Sequence, residues 1–213
     1  MKRSTTNTGR SRRAASRSGD AKNDSQRPGL PLGRPWKPTK EQLEAARSKL
    51  LKDVIAPGLD VLFCGINPGL YSAATGHHFA RPGNRFWPTL FAAGFTPRLF
   101  TGFDDRSLLD LGLGITNLCA RTTPTADELT REELLEGGRI LRRKVLRYQP
   151  RFLAVVGLTA FRVAFDDRTA AGGRQPETIG GTTVWPLPNP SGLNAHHQPA
   201  QLRTMFAELR AAL

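Results

Sequence analysis

Apolar residues along this chain fall into short, nearly unbroken runs separated by stretches with a helical period. Residues 59–66 (LDVLFCGI) and 152–157 (FLAVVG) are runs of strand length, and their apolar character on successive positions predicts strands buried on both faces. Residues 114–118 (GITNL) and 182–188 (TTVWPLP) predict two further strands. Between them, apolar positions recurring every three to four residues predict helices over 40–55, with Thr39 as N-cap, near 84–93, over about 105–111, over 130–148, over 158–165 (LTAFRVAF) and over 199–213. The helix over 130–148 starts with acidic residues and ends in RILRRKVLR, the polarity that a helix dipole favours. Strands alternating with helices predict a three-layer α/β/α sandwich around a central, mostly parallel four-stranded sheet.

In such sheets ligands bind beyond the carboxyl ends of the strands. Two loops of unusual composition leave carboxyl ends, GINPGLYSAATGHHFA after the first strand and NPSGLNAHH after the fourth. They are expected to face each other across one cleft. The Gly-x-x-Pro-Gly turn of the first presents backbone N–H groups, as phosphate loops do, but it lacks the Gly-Lys-Ser/Thr ending and the Gly-x-Gly-x-x-Gly spacing of nucleotide sites. Asn67 stands at the sheet edge as a short amide that both donates and accepts; it either holds a water molecule or caps the turn. In the second loop Leu193 lies among polar residues. Either it folds back onto the core or it has a task at the surface.

Charge adds a partner class. The net charge is +13, and residues 1–37 hold ten Lys or Arg and two Asp, so eight of those thirteen charges sit there. This Ser-, Arg- and Gly-rich stretch has little to bury and is expected to be a disordered basic tail over 1–35, followed by one domain over 36–213. The tail is either an arm that grips DNA or RNA phosphates, a solubilising leader or a targeting peptide. No apolar run approaches the roughly 18 residues of a membrane span, and no apolar stretch follows the basic start as in a secretory signal. Cys64 and Cys119 are too few for a disulfide framework or a four-thiolate cluster and are expected as reduced core residues. The adjacent pairs His77–His78 and His196–His197 are poorly placed to converge on a metal. Neither a metal nor another cofactor is expected.

GINPGL at 65–70, NPSGLN at 189–194 and FARPGNRFWPTLFAAGFT at 79–96 together resemble the mismatch-specific uracil DNA glycosylases, bacterial relatives of thymine DNA glycosylase. The similarity covers almost the whole predicted domain. It implies a uracil DNA glycosylase-like fold and an enzyme of base excision repair. Such an enzyme flips uracil, best from a G:U mismatch, and hydrolyses its N-glycosidic bond to leave an abasic site for a downstream endonuclease. Extrusion costs a few kcal/mol, least at a mismatch, and Leu193 matches the wedge that fills the vacated stack. Phe79 matches the floor on which the pyrimidine stacks, Asn189 the residue that hydrogen-bonds the base, and Tyr71 and Ser72 the pocket beside C5. Tyr71 and Ala74 depart from the residues the family would lead one to expect, which leaves specificity between uracil, thymine and other lesions open.

In that chemistry the leaving group is a uracil anion. Backbone N–H groups of the first loop, at Gly65, Ile66 and Gly69, are placed to stabilise it, and Asn67 to position the attacking water. An amide takes no proton, so a carboxylate is a possible auxiliary; Asp104, Asp105 and Asp110 lie nearest the second strand in sequence, with helix capping and surface solvation as their other roles. Ser191, Gly192, Asn194, His196 and Arg81, with His77, His78 and His197, flank the two loops and are expected to meet phosphates or the widowed guanine. After Lys52 the sole lysine is Lys144, outside both motifs, so no Schiff-base strand cleavage is expected. The rival reading is a catalytically weak or inactive DNA-binding protein. A monomer in the cytoplasm near the bacterial nucleoid, or in a eukaryotic nucleus, completes the expectation.

Overall fold

Successive residues of the first strand point to opposite faces of the sheet, and that alternation builds two cores. In the computed structural model, which describes residues 37–192 and 197–213, the unit Pro38–Leu213 runs through α1 (Lys40–Ala45), β1 (Val61–Gly65), α2 (Leu70–Thr75) and α3 (Phe86–Ala92). A 3₁₀ helix (Gly102–Leu111) leads to β2 (Leu113–Asn117), then α4 (Arg131–Tyr148), β3 (Phe152–Val156) and α5 (Leu158–Ala164). The hairpin β4 (Thr178–Ile179) and β5 (Thr182–Leu187) precedes α6 (Pro199–Ala211).

The sheet order is β2-β1-β3-β5-β4. The first four are parallel, and β4 pairs antiparallel at the edge. Val61 and Phe63 join Phe86, Trp87 and Leu90 of α3 and Phe206 and Leu209 of α6 in one core. Leu62 and Cys64 join Leu141 and Val145 of α4 and Phe161 of α5 in the other. The sandwich is therefore the three-layer arrangement that the alternating pattern predicts, with five strands instead of four. The fifth, β4, is two residues long, too short to show a period, and turns into β5 through Gly180 and Gly181.

The helix expected over 40–55 ends sooner. Thr39 caps it in a capping box with Gln42, but α1 gives way to a 3₁₀ turn (Ala46–Ser48) and then to extended chain. Val54 exchanges two backbone hydrogen bonds with Ile115 of β2, at 2.9 and 2.7 Å, so this segment covers an edge that would otherwise be open. Six residues of the first loop form the short helix α2, which lies within a segment expected as loop.

On the other face α4 rides close to its neighbours at Gly137 and Gly138. A Cβ on Gly138 would collide with the carbonyl oxygen of Ala164. Helix propensity alone makes Gly→Ala favourable by about 1 kcal/mol, whereas a backbone collision in a close-packed contact costs roughly 1–3 kcal/mol. Gly138→Ala is therefore expected to lower the unfolding free energy measured in urea, and a stabilised variant would show that α4 and α5 are not in this contact.

Candidate active site

The loops after β1, β2 and β5 meet beyond the carboxyl ends of the strands around a cavity of about 540 Å³. Ile66, Asn67, Gly69, Tyr71 and Ser72 line it from the first loop, and Asn189 and Ser191 from the last. Phe79, His78, Arg81 and Asn84 close one side; Asn117, Thr123, Thr125 and Asp127 close another. The two loops singled out in the sequence do share one cleft.

Asn67 is the most constrained polar group there. Its Nδ2 donates to the Arg121 carbonyl at 2.9 Å and to Thr123 Oγ1 at 2.6 Å, with a longer contact of 3.4 Å to the Pro68 carbonyl. Thr123 Oγ1 spends its own proton on the Thr125 carbonyl at 2.6 Å, so towards Asn67 it acts as acceptor. A carbonyl only accepts, which fixes which end of the amide is nitrogen. The Oδ1 of Asn67 is thereby left as the acceptor that this side chain offers to the cavity. Asn67 thus does more than touch its own turn. It ties the first loop to the β2–α4 connection, alongside backbone bonds from Leu118 to Gly65, Cys119 to Ile66 and Thr123 to Pro68.

Phe79 carries backbone strain. Its φ is +50°, a region that a bulky residue rarely enters. The ring stacks on buried Phe86 with centroids 4.0 Å apart and planes 20° apart, and it lies against Gly65, where a Cβ would come within 3.2 Å of its Cζ and 2.6 Å of Asn117 Oδ1. Gly65 therefore contributes by having no side chain: the space belongs to an aromatic ring and an amide. Ser72 is buried and its Oγ accepts the Ala80 N–H at 3.2 Å, which holds the strained turn. Asn189 accepts the Ser191 N–H at 2.9 Å, a local turn that orients its amide in the cavity wall.

His78 is buried in the wall, and its Nε2 lies 3.0 Å from the Lys52 carbonyl. A carbonyl partner requires the proton on Nε2. Burial pushes its pKa below the ordinary imidazole value, outweighing the backbone bond and the nearby carboxylates of Asp105 and Asp53, so His78 sits in the cavity wall as a neutral ring. Tyr71 is also desolvated, and its phenol pKa is raised.

None of Asp104, Asp105 and Asp110 lines the cavity. Asp104 accepts from the Thr101 N–H and hydroxyl at the start of the 3₁₀ helix and pairs with Arg98 at 2.8 Å. Burial opposes its ionisation, yet Arg98 and Thr101 hold its carboxyl below the usual range. Asp105 is buried, accepting the His78 N–H at 3.0 Å and facing His77 Nδ1 at 3.2 Å; Asp110 is exposed. Among the described residues, the carboxylate that lines the cavity is Asp127, in an exposed 3₁₀ turn (Ala126–Glu128). Lys144 is bound to Asp53 and to Thr116 Oγ1 and is not among the cavity residues. Among the described residues no group of three or more His, Cys, Asp or Glu is placed to hold a metal ion, and no helix is long and apolar enough to cross a membrane. Gly192 packs against Gly83. Leu193, Asn194 and His196, like the basic tail, lie outside the described residues.

Sequence reasoning missed Asn117, Thr123, Asp127 and Arg85. The first ends a predicted strand, and the rule that sites lie beyond carboxyl ends applies to β2 as much as to β1. Arg85, at the start of α3, donates to carbonyls of the last loop.

A mostly parallel sheet whose carboxyl ends open into a cavity walled by amides, hydroxyls and one stacked aromatic ring defines a site for a planar, hydrogen-bonding ligand. The family model described as the uracil DNA glycosylase superfamily matches residues 52–211, and the chain belongs to that superfamily. Its members are N-glycosylases, hydrolases of DNA repair that act on DNA.

The neutral His78 makes stability depend on pH. Its folded pKa lies below the ordinary 6.5, so as the pH falls through 6.5 the unfolded chain takes up the proton first, and stability present above that value is lost. Urea unfolding is expected to give a lower free energy at pH 5.5 than at 7.5, by up to about 1.4 kcal/mol per pH unit from this group. In His78→Gln that contribution should disappear; an unchanged slope would mean that His78 is not held neutral.

Proposed function

We propose that this protein is a monofunctional DNA glycosylase that extrudes uracil from duplex DNA, preferentially opposite guanine, and hydrolyses its N-glycosidic bond to leave an abasic site. The observation that carries the reading is the pinned amide of Asn67, whose one remaining acceptor belongs to a cavity walled by Phe79 and Asn189. A flipped pyrimidine stacks on Phe79, a contact worth roughly 1–3 kcal/mol, and the Asn189 amide meets its polar edge. Asn67 Oδ1 accepts a hydrogen bond from the attacking water and orients its lone pair towards C1′. As the bond lengthens, negative charge grows on the base, and N–H groups of the first loop at Ile66 and Gly69 stabilise it. The amide takes no proton, so the water's proton leaves by another acceptor, and Asp127 is the carboxylate nearest to hand.

Leu193 fills the stack that the base vacates, while Arg81 and His196 meet phosphates; His78, buried with its Nε2 on the Lys52 carbonyl, and His77, which faces Asp105, do not share the phosphate role expected of them. The basic segment before the domain adds contacts to phosphate that are indifferent to sequence. With Lys144 engaged by Asp53, the sugar meets water and no amine, so the product is an unbroken strand for an abasic-site endonuclease. Tyr71 and Ser72 set how much room remains beside C5 and hence whether a thymine methyl enters.

The test is a gel assay on labelled duplexes with one G:U, A:U or G:T pair, developed with and without hot alkali. Strand breaks are expected only after alkali and fastest for G:U, and borohydride is expected to trap no covalent adduct. Leu193→Ala should slow G:U release by roughly tenfold, the cost of a wedge worth one to two kcal/mol. Absence of release from every duplex, with binding retained, would make the chain a DNA-binding protein; breaks without alkali would make it a lyase.

A further inference from the structure

One side chain, Arg85, reaches both flanks of the last loop. Arg85 donates from Nη1 to the His197 carbonyl at 2.7 Å, from Nη2 to the Ser191 carbonyl at 2.8 Å and from Nε to the Pro190 carbonyl at 3.4 Å. Its backbone N–H also donates to Pro190, at 3.1 Å. The guanidinium therefore bridges Ser191 and His197, the two flanks between which the segment with Leu193 must run. Six residues of free chain reach roughly 20 Å; here both flanks share one planar group.

The anchor for this bridge is rigid. Arg85 precedes α3, whose first residues Phe86 and Trp87 are buried in the core, and Asn84 Oδ1 accepts the Phe86 N–H at 2.9 Å. Close packing of Gly192 on Gly83, where a Cβ would stand 2.6 Å from a carbonyl oxygen, completes the contact. The segment 83–85 is a dock for the segment 190–192.

We propose that Arg85 is a positioning residue for base extrusion, a staple that joins the two flanks of the loop, at Ser191 and His197, before DNA arrives; this rests on the glycosylase reading above. The planar fork is what the task needs. Five donors in fixed directions reach carbonyls on both flanks at once, whereas a lysine ammonium is a point charge that reaches one or two. Fixing the flanks in the free protein lowers the ordering that binding must otherwise impose.

Arg85→Ala, Arg85→Lys, Leu193→Ala and the double variant Arg85→Ala/Leu193→Ala test it, by single-turnover uracil release from a G:U duplex and by chymotrypsin cleavage after Leu193 in the free protein. Both Arg85 variants are expected to be slower by roughly 10- to 100-fold, the scale of a misplacement of about 1 Å. The double variant should be no slower than the slower single variant, because both lesions act through one wedge. Cleavage after Leu193 should be faster in both Arg85 variants. Recovery of the rate by lysine would show a phosphate contact in place of a staple. Multiplying defects in the double variant would show general structural damage, and unchanged cleavage would show that the loop is not held by Arg85. Each of these overturns the proposal. Wild-type protein that releases no uracil while the cleavage difference persists overturns the glycosylase reading and the extrusion role together, leaving the staple as a feature of the fold alone.

Discussion

The site depends on the hydrogen bonds from the Asn67 amide to the Arg121 carbonyl and Thr123 Oγ1. β1 and β2 are neighbours in register, with Gly65 opposite Asn117, so the chains that leave them start side by side. Without a tie, two irregular segments at the end of a sheet diverge. The amide and three backbone bonds keep them together, and the cavity wall is the seam. Because the tie consumes both protons of the amide, its oxygen is the group left to act. Such a dipole, set before substrate binds, needs no reorganisation at the moment of reaction, which is the source of most electrostatic catalysis.

The segment from Phe79 to Phe86 serves both ends of the cleft. At its start Phe79 is held at positive φ, a strain of roughly 1–3 kcal/mol, partly offset by stacking on Phe86, worth about 0.5–1.5 kcal/mol. At its end Arg85 grips the last loop from the N-terminus of α3. Phe86 is thus the common footing: its ring supports the stacking floor and its burial anchors the clamp. A single buried residue couples the surface on which a base would lie to the loop that would displace it. Strain held at Phe79, in the cavity wall, is what a preorganised binding surface is expected to show.

Much of this was legible in the chain. Nearly unbroken apolar runs located β1 and β3, because a strand buried on both faces leaves few polar positions, the stretch TTVWPLP located β5, and the paired loops at carboxyl ends located the cleft. Thr39 announced one helix start, and the helix expected from 130 begins one residue later with Thr130 as its cap; both starts have a capping box. What escaped was set by tertiary pairing. The chain at Val54 keeps a helical pattern but is drawn out straight by Ile115, β4 exists because β5 offers it an edge, and α2 is six residues inside a loop full of turn formers. At the site the aspartates near in sequence proved to be a cap (Asp104), a buried partner of His77 and His78 (Asp105) and an exposed surface residue (Asp110), since proximity along the chain to β2 does not give direction. Asp127 and Thr123, on the far side of the same strand, reach the cavity because the β2–α4 connection folds back over it. Arg85 gave no signal: only the folded loop shows three carbonyls converging on it.

The measurement that tests the account most directly is the single-turnover rate of uracil release from a G:U duplex by wild type, Asn67→Ala and Thr123→Val. The pinned amide predicts a loss of roughly 10²- to 10³-fold for Asn67→Ala, with DNA affinity retained. For Thr123→Val, which deprives Nδ2 of one acceptor and loosens the amide, it predicts a smaller loss of about tenfold, the worth of one hydrogen bond. Release at the wild-type rate by Asn67→Ala would contradict the account and move the water-positioning role to another residue of the cavity.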